Sequence, residues 1–180
     1  YDIWECPPNG QGVIALMLLN IMSGVDKFGD HPLSVDRIHH EIEAGRITYR
    51  DRNLYLADPE FSDVPVDQML SANYAAAIRA QINPVKAYAD LPPTTLPPHK
   101  HTVYISVVDK DRNACSLINT VFHSFGAGLM TPQSGIVLQC RGQGFVVDPG
   151  HPNCIAQGKR PLHTIIPGMA TKVGKTVMSF

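Results

Sequence analysis

The stretch that decides the fold is His101-Thr-Val-Tyr-Ile-Ser-Val-Val-Asp109, where the character of the chain changes. Consecutive side chains of a strand point to opposite faces, so alternate residues from Val103 to Val107 share one apolar face. The polar run Lys110-Asp-Arg-Asn113 is typical of a turn, and residues 114–122 predict a second strand. The sequence therefore predicts a β-hairpin that begins at Thr102.

Thr102 occupies the first position of this hairpin. A hairpin centred between Asp111 and Arg112 brings Thr102 opposite residues 120–122, which places Thr120 beside it. Most threonines at a strand edge are structural, because β-branched side chains suit a pleated sheet. The alternative is a nucleophile released by a cut before Thr102, since hydroxyl and free α-amine would then lie on one residue. An α-amine with a pKa of about 8 could serve as the general base near neutral pH.

The region before the hairpin, residues 1–86, is predicted to be helical. The apolar run at residues 13–22 predicts a helix that is buried on all sides and ends at Ser23-Gly24. A second helix is predicted from Ser34 towards Tyr49, with two isoleucines on one face, Ile38 and Ile42. Further helices are predicted to begin at Pro65 and at Ser71, and the last of them continues to Ile82.

Residues 87–101 form a linker between the two regions. Two proline pairs and the lack of a periodic apolar face are typical of extended, solvated chain. Residues 102–180 are predicted to be rich in strands, with glycines at the turns. A final hairpin is predicted over residues 171–180, with its turn at residues 172–175.

Composition narrows the class of protein. A chain of 180 residues with 44% hydrophobic and 17% charged residues is typical of one globular domain. A net charge of −1 argues against a nucleic acid or a membrane surface as the main partner, and the apolar run is too short to span a bilayer. The four cysteines lack metal-binding spacing, so we expect free thiols in or near the core, no metal site and no cofactor.

Several blocks of the chain, in order, resemble the γ-glutamyltranspeptidase family. The block Thr102-Val-Tyr-Ile-Ser-Val-Val-Asp109 is similar to the start of the family's small subunit, which begins with the catalytic threonine. Further similar blocks are Pro7-Pro-Asn-Gly-Gln-Gly12, Asp51-Arg52, Asp58-Pro-Glu-Phe61, Ser124-Phe-Gly-Ala-Gly128, Ser134-Gly-Ile-Val-Leu138 and Gly158-Lys-Arg-Pro-Leu162.

The resemblance implies an α+β fold, the αββα sandwich of N-terminal-nucleophile hydrolases, here in part. Residues 1–86 would be the end of the large subunit and residues 102–180 the start of the small one, with self-cleavage between His101 and Thr102. Thr102 would be the nucleophile and Thr120 its hydrogen-bond partner. The chain would be an internal segment, with a Gly-Gly pair that stabilises the oxyanion a few residues beyond Phe180. The implied partners are a γ-glutamyl or related small-molecule amide, water or an amine acceptor, and the other subunit of the cleaved heterodimer.

The sequence departs from the family pattern at the substrate-binding positions. Phe122 stands where the family has Asn, Gln143-Gly144 where it has an acidic pair, and His163-Thr164 where it has Ser-Ser. Without the acidic pair, an α-ammonium group of the substrate loses its partner, and Arg141 and His163 could bind a carboxylate instead. These departures resemble the cephalosporin acylase branch, so glutaryl-type acylase activity is an alternative to γ-glutamyl transfer. The third alternative is an inactive relative of the family with a structural role.

Overall fold

The computed structural model describes residues 1–26, 28, 31–89 and 103–180. Thr102, His101 and residues 90–100 of the predicted linker lie outside the described residues. The predicted division of the chain at residues 87 and 102 therefore stays a prediction.

Four helices precede the hairpin in the described part of the chain: α1 (Gly12–Ser23), α2 (Val35–Tyr55), α3 (Val66–Met69) and α4 (Ala72–Gln81). The predicted starts at Ser34 and Ser71 are confirmed, because each hydroxyl accepts a hydrogen bond from a backbone N–H three residues later. Helix α2 continues six residues beyond the predicted Tyr49 and ends at Tyr55.

Helix α1 is buried on one side only, which corrects the predicted all-round burial. Met17 and Ile21 are each 1% exposed, whereas Leu19 is 46% exposed. Helices α2, α3 and α4 all contact α1, while Leu19 remains on an exposed part of its surface. The two isoleucines predicted to share a face of α2, Ile38 and Ile42, are also exposed.

Two clusters of apolar side chains form the core of the helical region. The first joins α1 to α3 and to a later loop through Leu162. Its buried members are Val13, Ile14, Met17, Leu56, Met69 and Leu162. The second joins α1, α2 and α4, and its buried members are Ile21, Ala44, Ile47, Ala75, Ile78 and Ile82.

A three-stranded antiparallel sheet links the two ends of the chain. Strand β1 (Asp2–Trp4) pairs with β4 (Met169–Lys172), which pairs with β5 (Lys175–Ser179). The predicted final hairpin is confirmed, and its turn uses the left-handed conformations of Val173 and Gly174, with φ of 50° and 71°. The sequence predicted only helices before residue 86 and missed β1, because three residues are too few to show an alternating pattern.

The second sheet is the predicted hairpin, β2 (Val103–Val108) and β3 (Ala114–Asn119). Val103 pairs with Asn119 and Val108 with Ala114, so the hairpin is centred on Asp111. The carboxylate of Asp109 accepts hydrogen bonds from two backbone N–H groups of the turn. Strand β3 ends at Asn119, three residues earlier than predicted.

The segment between Thr120 and Gly168 is mostly irregular, which corrects the prediction of a strand-rich region. Its described regular structure is one 3₁₀ turn (Arg141–Gly144) and isolated bridges. Several glycines adopt the left-handed conformation, and a Cβ on Gly126 would collide with the carbonyl oxygen of Leu138. Such glycines bend the chain too often for strands to extend.

Candidate active site

The candidate site begins at Thr120, where the chain leaves β3. The hydroxyl of Thr120 accepts a hydrogen bond from the backbone N–H of Phe122 at 3.1 Å. Phe122 has a φ of 78°, a conformation that costs a non-glycine residue on the order of 1–3 kcal/mol. Its ring is nevertheless only 5% exposed. The turn therefore holds a buried aromatic residue two positions after Thr120.

Cys140 fixes this turn against the following 3₁₀ turn. Its backbone N–H donates to the carbonyl oxygen of Val121 at 3.1 Å. Its Sγ accepts from the backbone N–H of His123 at 3.4 Å. These contacts place Arg141, the next residue, over Phe122.

Arg141 lies with its Cζ 4.3 Å from the centroid of the Phe122 ring, in cation–π geometry. The residue is 2% exposed, and burial lowers the pKa of its guanidinium to about 10, so it stays charged at neutral pH. Its Nη1 donates to the hydroxyl of Thr164 at 2.7 Å. Its Nε and Nη2 are buried and have no hydrogen-bond partner among the described residues.

The loop that carries Thr164 is held by residues from the start of the chain. The backbone N–H of His163 donates to Asn9 O at 2.8 Å, and the N–H of Gln11 donates to His163 O at 2.9 Å. The side chain of Gln11 donates to Thr164 O at 3.0 Å, and that of Asn9 to Pro161 O at 2.6 Å. The position of Thr164, and through it Arg141, thus depends on residues upstream of the predicted cleavage point.

An ion pair between Asp58 and Arg160 holds the same loop from the other side. The Oδ2 of Asp58 accepts from the backbone N–H of Arg160 at 2.8 Å and from its Nε at 3.1 Å, and Oδ1 accepts from Nη2 at 2.6 Å. Asp58 is 1% exposed, and the hydrogen bonds from Arg160 hold the pKa of its carboxyl far below the usual range. No local signal in the sequence predicts this pair, although both residues lie in blocks that carry the family resemblance.

The other predicted substrate-binding residues lie around the 3₁₀ turn and the loop. Gln143 is exposed, whereas Gly144 is buried and accepts a hydrogen bond from Asn153 Nδ2 at 2.7 Å. A Cβ on Gly144 would lie 3.6 Å from Leu162 O, an ordinary contact. The ring of His163 accepts from the backbone N–H of Ile165 at 3.4 Å.

The structure thus joins four residues by direct contacts, Thr120, Phe122, Arg141 and Thr164, with the link from Thr120 made through the backbone N–H of Phe122. Among the described residues, no group of three His, Cys, Asp or Glu side chains could hold a metal ion. No described helix has the length and apolar character needed to cross a membrane. The thiols of Cys6 and Cys115 are exposed, away from the core where they were expected.

Comparison with known proteins agrees with the order of the sequence blocks. The sequence model of the family described as Gamma-glutamyltranspeptidase matches residues 1–180. The chain belongs to the γ-glutamyltranspeptidase family. It is 39% identical to the glutathione hydrolase proenzyme of Pseudomonas sp. (strain A14), over 96% of this chain and 32% of that protein. It is 34% identical to the glutathione hydrolase-like YwrD proenzyme of Bacillus subtilis (strain 168), over 97% of this chain and 33% of that protein.

The fold is shared with a solved structure of the same family. The crystal structure of cephalosporin acylase from Bacillus halodurans superposes with a TM-score of 0.86 and 39% identity, over 98% of this chain and 31% of that one. The predicted α+β class is therefore confirmed. The chain spans about a third of the length of the curated relatives it matches.

Proposed function

We propose that the complete protein is an N-terminal-nucleophile amidohydrolase that cuts its own chain between His101 and Thr102. The observation that carries the proposal is the register of the hairpin, in which Val103 pairs with Asn119. One further step of this register would bring Thr102 opposite Thr120. The family membership and the proenzyme relatives support the same reading.

Self-cleavage would begin with attack of Thr102 Oγ on the carbonyl carbon of His101. The peptide bond shifts to an ester, which water hydrolyses to leave a free carboxyl on His101 and a free α-amine on Thr102. In turnover, Thr102 Oγ attacks the amide carbon of the substrate while its α-amine takes the proton and passes it to the leaving amine. Water or an acceptor amine then resolves the acyl-enzyme.

Thr120 would position the nucleophile. Its hydroxyl already accepts from Phe122 N–H, and a hydroxyl can still donate its own proton to a second oxygen. The acceptor in this proposal is Thr102 Oγ. Donors for the oxyanion, each worth a few kcal/mol, are expected from the Gly-Gly pair of the family pattern.

Substitution of Thr102 in the complete protein tests the mechanism. Thr102→Ala should abolish both processing and amide hydrolysis, whereas Thr102→Ser should retain part of each, because it keeps a hydroxyl. Processing is read by gel electrophoresis and hydrolysis with a chromogenic amide. A Thr102→Ala protein that still hydrolyses the amide would overturn the assignment of the nucleophile.

The family's commonest acyl group is γ-glutamyl, and a second candidate is a glutaryl-type group without the α-amine. The buried glycine at position 144 offers no carboxylate to an α-ammonium, and the Phe122 ring replaces an amide side chain. Loss of a buried carboxylate partner would cost an ammonium about 2–5 kcal/mol. We therefore favour the glutaryl-type candidate.

Paired p-nitroanilides that differ only in the α-amine separate these two candidates. The complete protein should give a higher kcat/KM with the glutaryl compound than with the γ-glutamyl compound. A tenfold or greater preference for the γ-glutamyl compound would restore γ-glutamyl transfer as the activity.

A further inference from the structure

The guanidinium of Arg141 has one edge that is both buried and free of partners in the described chain. Nε and Nη2 form this edge, and they point the same way because both N–H bonds lie on the side away from Nη1. Nη1 itself is taken by Thr164, and one face of the group is covered by the Phe122 ring. The free edge is therefore fixed in place before any ligand arrives.

Arg160 shows which group the Nε–Nη2 edge of an arginine binds in this chain. Arg160 uses Nε and Nη2 to hold both carboxylate oxygens of Asp58, at 3.1 and 2.6 Å. Two parallel N–H donors match the spacing of two carboxylate oxygens, which makes this a specific as well as a strong contact. Arg141 presents an equivalent fork with no carboxylate among the described residues to fill it.

Burial makes an unfilled fork costly. A buried charge without an opposite charge is unfavourable, and a single aromatic face offsets only part of that cost. No described salt bridge involves Arg141. An anion that enters this position would regain the lost hydrogen bonds and neutralise the charge.

We propose that the Nε–Nη2 edge of Arg141 binds the distal carboxylate of the acyl group, the end of the substrate remote from the scissile amide. This inference rests on the proposed function, because it places the reacting amide at Thr102. Phe122 connects the two sites, because its ring packs against the Arg141 guanidinium and its backbone N–H donates to the Thr120 hydroxyl. The substrate class is then an amide of a short dicarboxylic acid.

Binding of product-like acids to the complete protein tests this site without turnover. Calorimetry would compare succinate, glutarate and adipate, each beside the monocarboxylate of the same chain length. The best dicarboxylate should bind about 30-fold or more tightly than its monocarboxylate in the wild type. This ratio should fall to about one in Arg141→Gln and to an intermediate value in Arg141→Lys, whose point charge cannot form the fork.

Arg37→Gln is the matched control, because Arg37 forms an exposed pair with Glu41 and should leave the ratio unchanged. A wild-type ratio near one, or a ratio that survives Arg141→Gln, would overturn the carboxylate site. If Arg141→Gln does not fold, a ratio unchanged in Arg141→Lys overturns it. If the protein is cut before Thr102 but the binding ratio is the same in wild type and Arg141→Gln, only the Arg141 site is overturned. If the ratio depends on Arg141 but the protein is not cut, only the proposed mechanism is overturned.

Discussion

Two arginines of this chain differ in what meets the same edge of the guanidinium. Arg160 is half exposed, and its Nε and Nη2 hold a buried aspartate. Arg141 is buried, and its Nε and Nη2 meet no partner among the described residues. The first arrangement holds a loop against the helical region, whereas the second leaves a buried charged group without a described partner. The first group stabilises the fold, and the second is the one that we propose as a ligand site.

The largest expected effect comes from breaking the filled fork. Asp58→Asn in the complete protein should lower the free energy of unfolding by about 3 kcal/mol, because a buried ion pair is lost. Arg141→Gln should lower it much less, or raise it, since the substitution removes a buried charge that has no opposite charge together with its contact to the Phe122 ring. Urea unfolding measures both, with Asp63→Asn, an exposed aspartate nearby, as the control. A loss of about 3 kcal/mol in Arg141→Gln as well would show that Arg141 stabilises the fold as strongly as the Asp58–Arg160 pair does.

The pH dependence of stability should distinguish the same two sites. The pKa of Asp58 is lowered in the folded state, so its contribution is complete above the unfolded pKa of about 3.9. The contribution is lost as the pH falls below that value towards the folded pKa. Between pH 5 and 2, the free energy of unfolding should therefore fall further in the wild type than in Asp58→Asn. The difference between the two decreases should be about 2 kcal/mol. Parallel curves would show that the pair contributes little.

In the proposed mechanism, Thr120 would position the nucleophile Thr102. Thr120→Val keeps the shape of the side chain and removes its hydroxyl, so processing or turnover should fall by one to two powers of ten, on the order of 1.5–3 kcal/mol. Thr120→Ser, which keeps the hydroxyl, should recover most of the rate. Stopped time courses of processing and of amide hydrolysis give both rates. Equal rates in wild type and Thr120→Val would mean that this hydroxyl does not act on Thr102.

The smallest expected effect is a change of acyl preference. Gly144→Asp would add a carboxylate to the 3₁₀ turn of Arg141, which favours an α-ammonium and weakens the attraction for a substrate carboxylate. The ratio of kcat/KM for glutaryl over γ-glutamyl amides should fall about tenfold. Gly142→Asp, on the exposed side of the same turn, is the control and should leave the ratio unchanged. A ratio that falls equally in both variants would indicate a general charge effect.

The parts of the fold that are predictable from sequence are those with local signals. Ser34 and Ser71 indicate helix starts because their hydroxyls cap the first turn, and the polar turn after Val108 predicts the hairpin. Strand β1 has no such signal, because its partner lies more than 160 residues away in the sequence.

The candidate site was only partly predictable for the same reason. The departures at Phe122 and Gly144 are visible in the sequence, and Arg141 was a candidate for binding a carboxylate. Its burial is not visible, because it depends on Phe122 below and Thr164 beside it. The Asp58–Arg160 pair joins residues a hundred positions apart and likewise needs the folded chain.

The proposed cut before Thr102 is the central claim, and the masses of the polypeptides in the purified complete protein test it most directly. We expect two pieces, one that ends with the carboxyl of His101 and one that begins with the free amine of Thr102. A single uncut chain that hydrolyses amides would contradict this proposal.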